Sequence, residues 1–245
     1  MTRAIVTGGG TGIGRACAKR LASDGFEVVI VGRRIEVLTE AAAAINEWVG
    51  EARVIAEPSD LEDPEAVGAL AERLSSGPTI DVLVNNAGGV SLESADTLEE
   101  LAAGWRRDFD NNVMTTVLVT EALLPQMTRP GGRIVAMSSV AAFSGAGSYG
   151  AAKAAINAWV YGMSAQLASD GITVNAVAPG FVPDTEFWDS RRSDDLIASR
   201  SARIPMARPG RPDEVAESVA YFASPGAGWT TGTILHVNGG AVLGR

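Results

Sequence analysis

Short apolar runs alternate with longer amphipathic stretches from one end of this chain to the other. The runs cover residues 4–6, 28–31, 54–56, 82–84, 134–137, 173–177 and 234–237, and most are rich in Val and Ile. Continuous apolar runs, rather than strict alternation, suit strands covered on both faces. Between them lie stretches rich in Ala, Leu and Glu, at 35–48, 64–74 and 212–223, with a further helix-like stretch at 105–124. Pro64 and Pro212 follow Asp63 and Arg211 and read as first helical positions. The alternation predicts an α/β fold, a doubly wound parallel sheet. No linker, repeat or low-complexity tract divides the chain, so one domain is expected over residues 1–245. Residues 181–209 carry no strand pattern and are expected to form a loop over the substrate.

Composition narrows the function classes. The chain has 245 residues, 46% hydrophobic and 20% charged, enough for a substantial core and a cofactor. A formal net charge of −9 argues against nucleic acid or an anionic membrane as partner. The single cysteine, Cys17, allows no intrachain disulfide and fits a reducing compartment. Met1-Thr2-Arg3 leads straight into the first apolar run and no apolar stretch reaches spanning length, so the expected location is the cytoplasm. The absence of a Cys/His cluster leaves no expected metal site, and the lone His236 receives no catalytic role.

The first run is followed directly by Thr7-Gly8-Gly9-Gly10-Thr11-Gly12-Ile13-Gly14 and then by a helix-like stretch. Glycines let backbone turn sharply beside a pyrophosphate, and a helix N-terminus offers free N–H groups and a favourable dipole. Beyond the second run stand Gly32 and Arg33, where a carboxylate would otherwise bind the ribose of NAD. A guanidinium there pairs with a 2′-phosphate, so NADP(H) is expected, with NAD(H) the alternative and Arg33 and Arg34 as plain surface charges the bland reading. Asp60, with Leu61 after it, follows the third run and is placed to accept from an adenine amino group; a turn or cap role competes. Asn85-Asn86-Ala87-Gly88 follows the fourth run and suits close backbone approach to a cofactor ribose, as it would suit an ordinary turn.

Tyr149 and Lys153 are four apart, so on a helix they share one face. An ammonium beside a phenol favours the phenolate, and the expectation is a lowered tyrosine pKa useful for proton transfer. Ser138-Ser139 ends the fifth run, where α/β ligand sites form, and either hydroxyl could donate to a substrate oxygen. Asn112 sits within a helix-like stretch although Asn is a mediocre helix former, which invites a functional explanation. Val90, Ala141, Phe143, Phe181, Phe187 and Trp188 are candidate lining for an apolar cleft. Arg191, Arg192, Arg200 and Arg203 read as solvated loop charges, with contact to an acidic substrate or a carrier protein the alternative.

Taken together, Thr7-Gly8-x3-Gly12-Ile13-Gly14, Asp60, Asn85-Asn86-Ala87-Gly88, Asn112, Ser139, Tyr149-x3-Lys153, Asn175-x3-Pro179-Gly180, and Thr231-Gly232 with Asn238-Gly239-Gly240 resemble the short-chain dehydrogenase/reductase family, in family order over nearly the whole chain. The resemblance implies a Rossmann fold with a seven-stranded parallel sheet and a catalytic set of Asn112, Ser139, Tyr149 and Lys153. It implies that Tyr149 protonates a carbonyl oxygen, that Ser139 polarises it, that Lys153 lowers the tyrosine pKa and binds the nicotinamide ribose, and that Asn112 holds a relay water. The dinucleotide would lie against Gly8, Thr11, Gly12, Ile13, Gly14, Arg33, Asp60, Leu61, Asn86, Ala87, Gly88, Tyr149, Lys153, Pro179, Gly180, Val182 and Thr185. It also implies a homotetramer. Residues 140–148 form a shorter interval than is common in the family, which implies a trimmed loop. The expected activity is NADP(H)-dependent reduction of a ketone or 3-oxoacyl-type carbonyl. The alternatives are an alcohol dehydrogenase working oxidatively and a dinucleotide-binding sensor without turnover.

Overall fold

The computed structural model describes residues 2–91, 94–189 and 193–243. Its strands are β1 (Arg3–Thr7), β2 (Glu27–Gly32), β3 (Val54–Pro58), β4 (Val82–Asn85), β5 (Arg133–Met137), β6 (Thr173–Pro179) and β7 (Ile234–Val237). They form one seven-stranded sheet in the order β3-β2-β1-β4-β5-β6-β7, with every neighbouring pair parallel. Each apolar run read from the sequence lies within a strand.

The helices are α1 (Gly12–Ser23), α2 (Ile35–Val49), α3 (Pro64–Ser75), α4 (Leu98–Phe109), α5 (Thr115–Leu123), α6 (Ala141–Ser144), α7 (Gly147–Leu167), α8 (Glu186–Asp189), α9 (Asp194–Ser201) and α10 (Pro212–Ala223). They cover both faces of the sheet, which is why the strands carry runs of consecutive apolar residues rather than alternating ones. Ala4, Val6, Val28 and Ile30 point into one core with Cys17, Leu21, Leu38 and Phe222. Ile5, Val29 and Val31 point into the other with Leu70, Leu123 and Ile156. Pro64 and Pro212 open their helices as expected, and Asp63 caps α3 by accepting from the Glu65 amide at 3.0 Å.

Two expectations need correction. The helix-like stretch at 105–124 is three pieces: α4 begins earlier, at Leu98, and a π-helical turn at Asp110–Met114 separates it from α5. Thr97 caps α4 by accepting from the Glu100 amide at 3.1 Å, and the Glu100 carboxylate accepts from the Asp96 amide at 2.9 Å. Residues 181–209 are not a plain loop, because they hold α8 and α9; Ser193 caps α9 by accepting from the Leu196 amide. The Arg191 and Arg192 assignments lie outside the described residues. No described helix is long and apolar enough to cross a membrane.

Between β1 and β4 the strand order changes direction, so the loops leaving their carboxyl ends diverge and open a crevice there. The glycine turn, Asn85–Gly88, Ser138-Ser139 and Pro179-Gly180 all follow carboxyl ends of strands and lie along this one edge.

Candidate active site

The glycine turn is held in place from β4. Thr7 Oγ1 accepts from the Asn86 and Ala87 amides, each at 2.9 Å, and Asn86 Nδ2 donates to the Thr7 and Gly8 carbonyls at 2.9 and 3.3 Å. The Asn86 side chain therefore builds the turn, and the groups left to face the crevice from this segment are backbone. A Cβ at Gly14 would fall 2.1 Å from the Gly8 carbonyl oxygen, so only glycine lets α1 start this close to the strand. Thr11 is the N-cap of α1, yet its side chain caps none of the helix amides. The first-turn N–H groups of Gly12, Ile13 and Gly14 are thus open to an anion, and a dinucleotide pyrophosphate fits that need.

Around the rest of the edge, Arg33 is 70% exposed, with Glu62 3.7 Å away. Arg34 is paired with Glu186 at 2.6 Å. Asp60 is exposed at the end of β3, and its carboxylate accepts from the Glu62 amide at 3.2 Å. Leu61 and Val182 have their side chains in the core. Pro179 ends β6, and Gly180 packs against Asn238, where a Cβ would come within 2.8 Å. Thr185 lies beside Gly12, 3.1 Å from a Cβ placed there.

Tyr149 and Lys153 both lie in the first half of α7 and are brought together, with the ammonium 5.7 Å from the phenol ring centre. The Lys153 ammonium donates to the Met137 carbonyl at 2.9 Å. Gly88 closes over it: a Cβ on Gly88 would lie 3.3 Å from Lys153 Nζ and 2.5 Å from Asn112 Oδ1. Asn112 is completely buried in the π turn, where its amide accepts from the Gly89 N–H at 3.2 Å and donates to the Gly89 carbonyl at 2.7 Å. Single π turns cluster at functional sites, and here the turn aims Asn112 at the lysine side of the crevice. The two serines divide cleanly. Ser138 is buried and donates to Asn157 Oδ1 at 2.6 Å, while Ser139 Oγ accepts from the Ala141 amide at 3.1 Å and lies near enough to the Tyr149 phenol to favour its phenolate.

The expected fall in the tyrosine pKa is not found. Burial pushes Tyr149 up to about 12, against the opposing influence of the nearby Ser139 hydroxyl, and the charge of Asp108 adds to the rise. Burial likewise draws Lys153 down to about 8. Desolvation disfavours phenolate and ammonium alike, so burial moves the two groups in opposite directions. The phenol is consequently a protonated donor at neutral pH.

Residues 181–189 reach from the glycine turn to the phenol. Glu186 accepts from Thr11 Oγ1 at 3.3 Å, and the Phe187 ring lies 5.5 Å from that of Tyr149. Trp188 packs edge-on between Phe181 and Phe187, with both ring separations 5.1 Å. Of the other expected lining residues, Ala141 is buried, Val90 is half-buried, and Phe143 is exposed, its ring tilted against that of His236 at 4.7 Å. A cavity of about 470 Å³ takes in Gly180, Phe181 and Val182 with the end of β7, and Tyr149 does not line it. Sequence reasoning passed over Asp108, Ser148 and Asn157, whose bonds lie between elements distant in the chain; Thr7 had a signal in its place before the glycines.

A phenol beside Ser139, a lysine one turn on, a buried Asn112 and an uncapped helix N-terminus thus share one crevice. The sequence model described as enoyl-(acyl carrier protein) reductase matches residues 8–242. The chain belongs to the short-chain dehydrogenase/reductase family. It is an NAD(P)-dependent oxidoreductase acting on CH–OH or C=O groups. It is 36% identical to the 3-oxoacyl-[acyl-carrier-protein] reductase FabG of Vibrio harveyi, over 98% of this chain and 97% of that one. The short-chain reductase protein NovJ of Streptomyces niveus is 37% identical over 97% of this chain and 92% of its own. Among solved structures, the Pseudomonas aeruginosa RhlG/NADP active-site complex superposes with a TM-score of 0.88 at 31% identity, covering 99% of this chain and 96% of that chain.

Proposed function

We propose that this oxidoreductase uses NADP(H) to reduce a ketone or 3-oxoacyl-type carbonyl to a secondary alcohol, with Tyr149 as proton donor. The observation that carries the reading is Tyr149 one turn from Lys153 on α7, with the ammonium 5.7 Å from the phenol ring and Ser139 beside the phenol at the crevice edge. The dinucleotide would be held by the amides of Gly12, Ile13 and Gly14, by Gly8 and Thr11, by Arg33 at its 2′-phosphate, and by Asp60 and Leu61 near the adenine. Backbone at Asn86, Ala87 and Gly88 and the group Pro179, Gly180, Val182 and Thr185 would enclose its nicotinamide half. When bound, it supplies the hydride that reduces the carbonyl carbon.

The chain's own groups manage the oxygen. Ser139 donates a hydrogen bond to the carbonyl oxygen and stabilises the charge developing there. Tyr149 transfers its hydroxyl proton to that oxygen as the C–H bond forms. Lys153, with its pKa drawn down to about 8, is poised to return a proton to the phenolate, and Asn112 lies beside it across Gly88. Phe187 and Trp188 exclude water over the phenol and present an apolar wall to substrate. In this reading the whole chain is one dinucleotide-binding domain, and 181–209 covers the substrate.

The likeness to 3-oxoacyl reductases at 36% and 34% identity favours carbonyl over enoyl reduction. The assembly is read as a cytoplasmic homotetramer. Leu98, Leu101 and Trp105 on α4, and the fully exposed Trp229, supply apolar surface for such contacts. The decisive experiment follows NADPH and NADH oxidation against simple ketones, a 3-oxoacyl thioester and an enoyl thioester, with Arg33→Ala in parallel. NADPH-dependent ketone turnover, with the preference weakened in Arg33→Ala, is expected. A preference for NADH would overturn the NADP(H) assignment, enoyl turnover alone would overturn the carbonyl assignment, and tight binding without any turnover would favour a sensor.

A further inference from the structure

The mechanism leaves one acid at the site without a role. Asp108, in the last turn of α4, is completely buried. A buried carboxylate is tolerated only when hydrogen-bonded, and this one has two short bonds to different elements. Its Oδ2 accepts from the Ser148 hydroxyl at 2.6 Å, and its Oδ1 accepts from the Ser91 amide at 2.6 Å. Its own carbonyl accepts from Asn112 Nδ2 at 2.8 Å. The segment at Ser91 is tied again to the π turn, where Asn111 Nδ2 donates to Ser91 Oγ at 2.6 Å. One residue therefore joins α4, the segment after β4 and the first turn of α7.

That first turn is poorly fixed by local chemistry. Its N-cap, Ala146, offers no side-chain bond to the helix amides. The chain enters it through Gly145 and Gly147, both at positive φ, where glycine alone is unstrained. A negative charge close to a helix N-terminus is favourable, so Asp108 suits this place electrostatically as well as sterically. Ser148, buried like Asp108, immediately precedes Tyr149.

We propose that Asp108 is a positioning residue for the proton donor: through Ser148 its carboxylate holds the first turn of α7, and so the Tyr149 hydroxyl, in register with Ser139 and Lys153. The inference rests on the reading of Tyr149 as proton donor. The same carboxylate disfavours a phenolate nearby, so it also helps the phenol keep its proton. Among the described residues, the charged groups that face the phenol are Asp108 from α4 and Lys153 from its own helix. Ser139 beyond β5, Asn112 in the π turn and Phe187 in α8 bring no charge.

The test uses Asp108→Asn, Asp108→Leu and Ser148→Ala in the full chain. Asn keeps the volume, can accept from Ser91 and can donate to Ser148 Oγ, so it removes the charge with little else. In Asp108→Asn the alkaline limb of kcat/KM for carbonyl reduction should move to lower pH, because the phenol releases its proton more readily. In Asp108→Leu and Ser148→Ala the tie is lost, and kcat should fall by about tenfold or more, while dinucleotide affinity read by calorimetry stays within about twofold. Hydrogen exchange of the Ser91 amide should speed up in Asp108→Leu, and exchange across 147–150 in both tie-breaking variants, with no substrate needed. Should Asp108→Leu fail to fold, Ser148→Ala carries the kcat and exchange measurements and Asp108→Asn the pH profile. An unmoved alkaline limb in Asp108→Asn, together with parental kcat in Ser148→Ala, overturns the proposal. If the parent reduces no carbonyl at all, the proposed function fails by itself, and exchange decides the tie: faster exchange supports it, and unchanged exchange overturns it.

Discussion

The lysine at the centre of the site should leave a signature in the stability of the whole protein. Lys153 is 4% exposed, and its ammonium is bonded to the Met137 carbonyl rather than to a carboxylate. Burial pulls its pKa from 10.5 down to about 8. Between those two values the unfolded chain holds a proton that the folded chain has released, so stability must rise with pH across that window. The full shift is worth about 3 kcal/mol, of which about 1.3 kcal/mol accrues between about pH 7 and about pH 9. Cys17 and Tyr149 act in the opposite sense: burial raises each to about 12, so the stability they contribute is lost as pH climbs above their ordinary values of 9.0 and 10.0. Those two groups remain in Lys153→Met, which keeps an unbranched chain and removes the ammonium. Subtracting the variant's pH dependence from the parent's isolates the lysine. The assay is urea unfolding followed by tryptophan fluorescence at about pH 7, 8 and 9, at one protein concentration so that assembly does not shift the result. The parent should gain stability across the series relative to the variant. Near pH 7 the variant should be the more stable of the two, by up to about 2 kcal/mol after about 1 kcal/mol is lost at the orphaned Met137 carbonyl. Parallel pH dependences for parent and variant would refute the reasoning.

Three further outcomes are expected. Tyr149→Phe should lower kcat by about 10²- to 10⁴-fold while NADPH binding, read by fluorescence, is retained, because only the proton-donating hydroxyl is removed. Ser139→Ala should lower kcat by about 10²- to 10³-fold, whereas Ser138→Ala should leave kcat close to the parent's and reduce stability by about 1–3 kcal/mol, since Asn157 Oδ1 loses its 2.6 Å donor inside the protein. Gly14→Ala would ordinarily favour a helix. Here its Cβ would meet the Gly8 carbonyl, so denaturation should show a loss of about 1–3 kcal/mol together with weaker dinucleotide binding.

What could be read from the sequence follows from how local each signal is. Strand runs and proline-started helices depend on neighbouring residues, and all seven runs fall within the strands of the sheet. The segment at 181–209 hid two short helices, because α8 has four residues and neither helix has a regular apolar face to betray it. Along α4 the Thr97 and Glu100 cap was present in the sequence but overlooked. Which way Ser138 and Ser139 point could not be read from the chain, because Ser138 turns inward to Asn157, which is distant in sequence.

By itself the order of residues determined the parallel α/β sheet, the glycine turn and the pairing of Tyr149 with Lys153 one helical turn apart, since these follow from periods of two to four residues. Only the tertiary structure decided how deeply that pair is buried and that Asp108 bonds Ser148 beside it. Both depend on how much water is excluded and on which distant groups close around the site, and those are properties of packing between elements rather than of any stretch of chain.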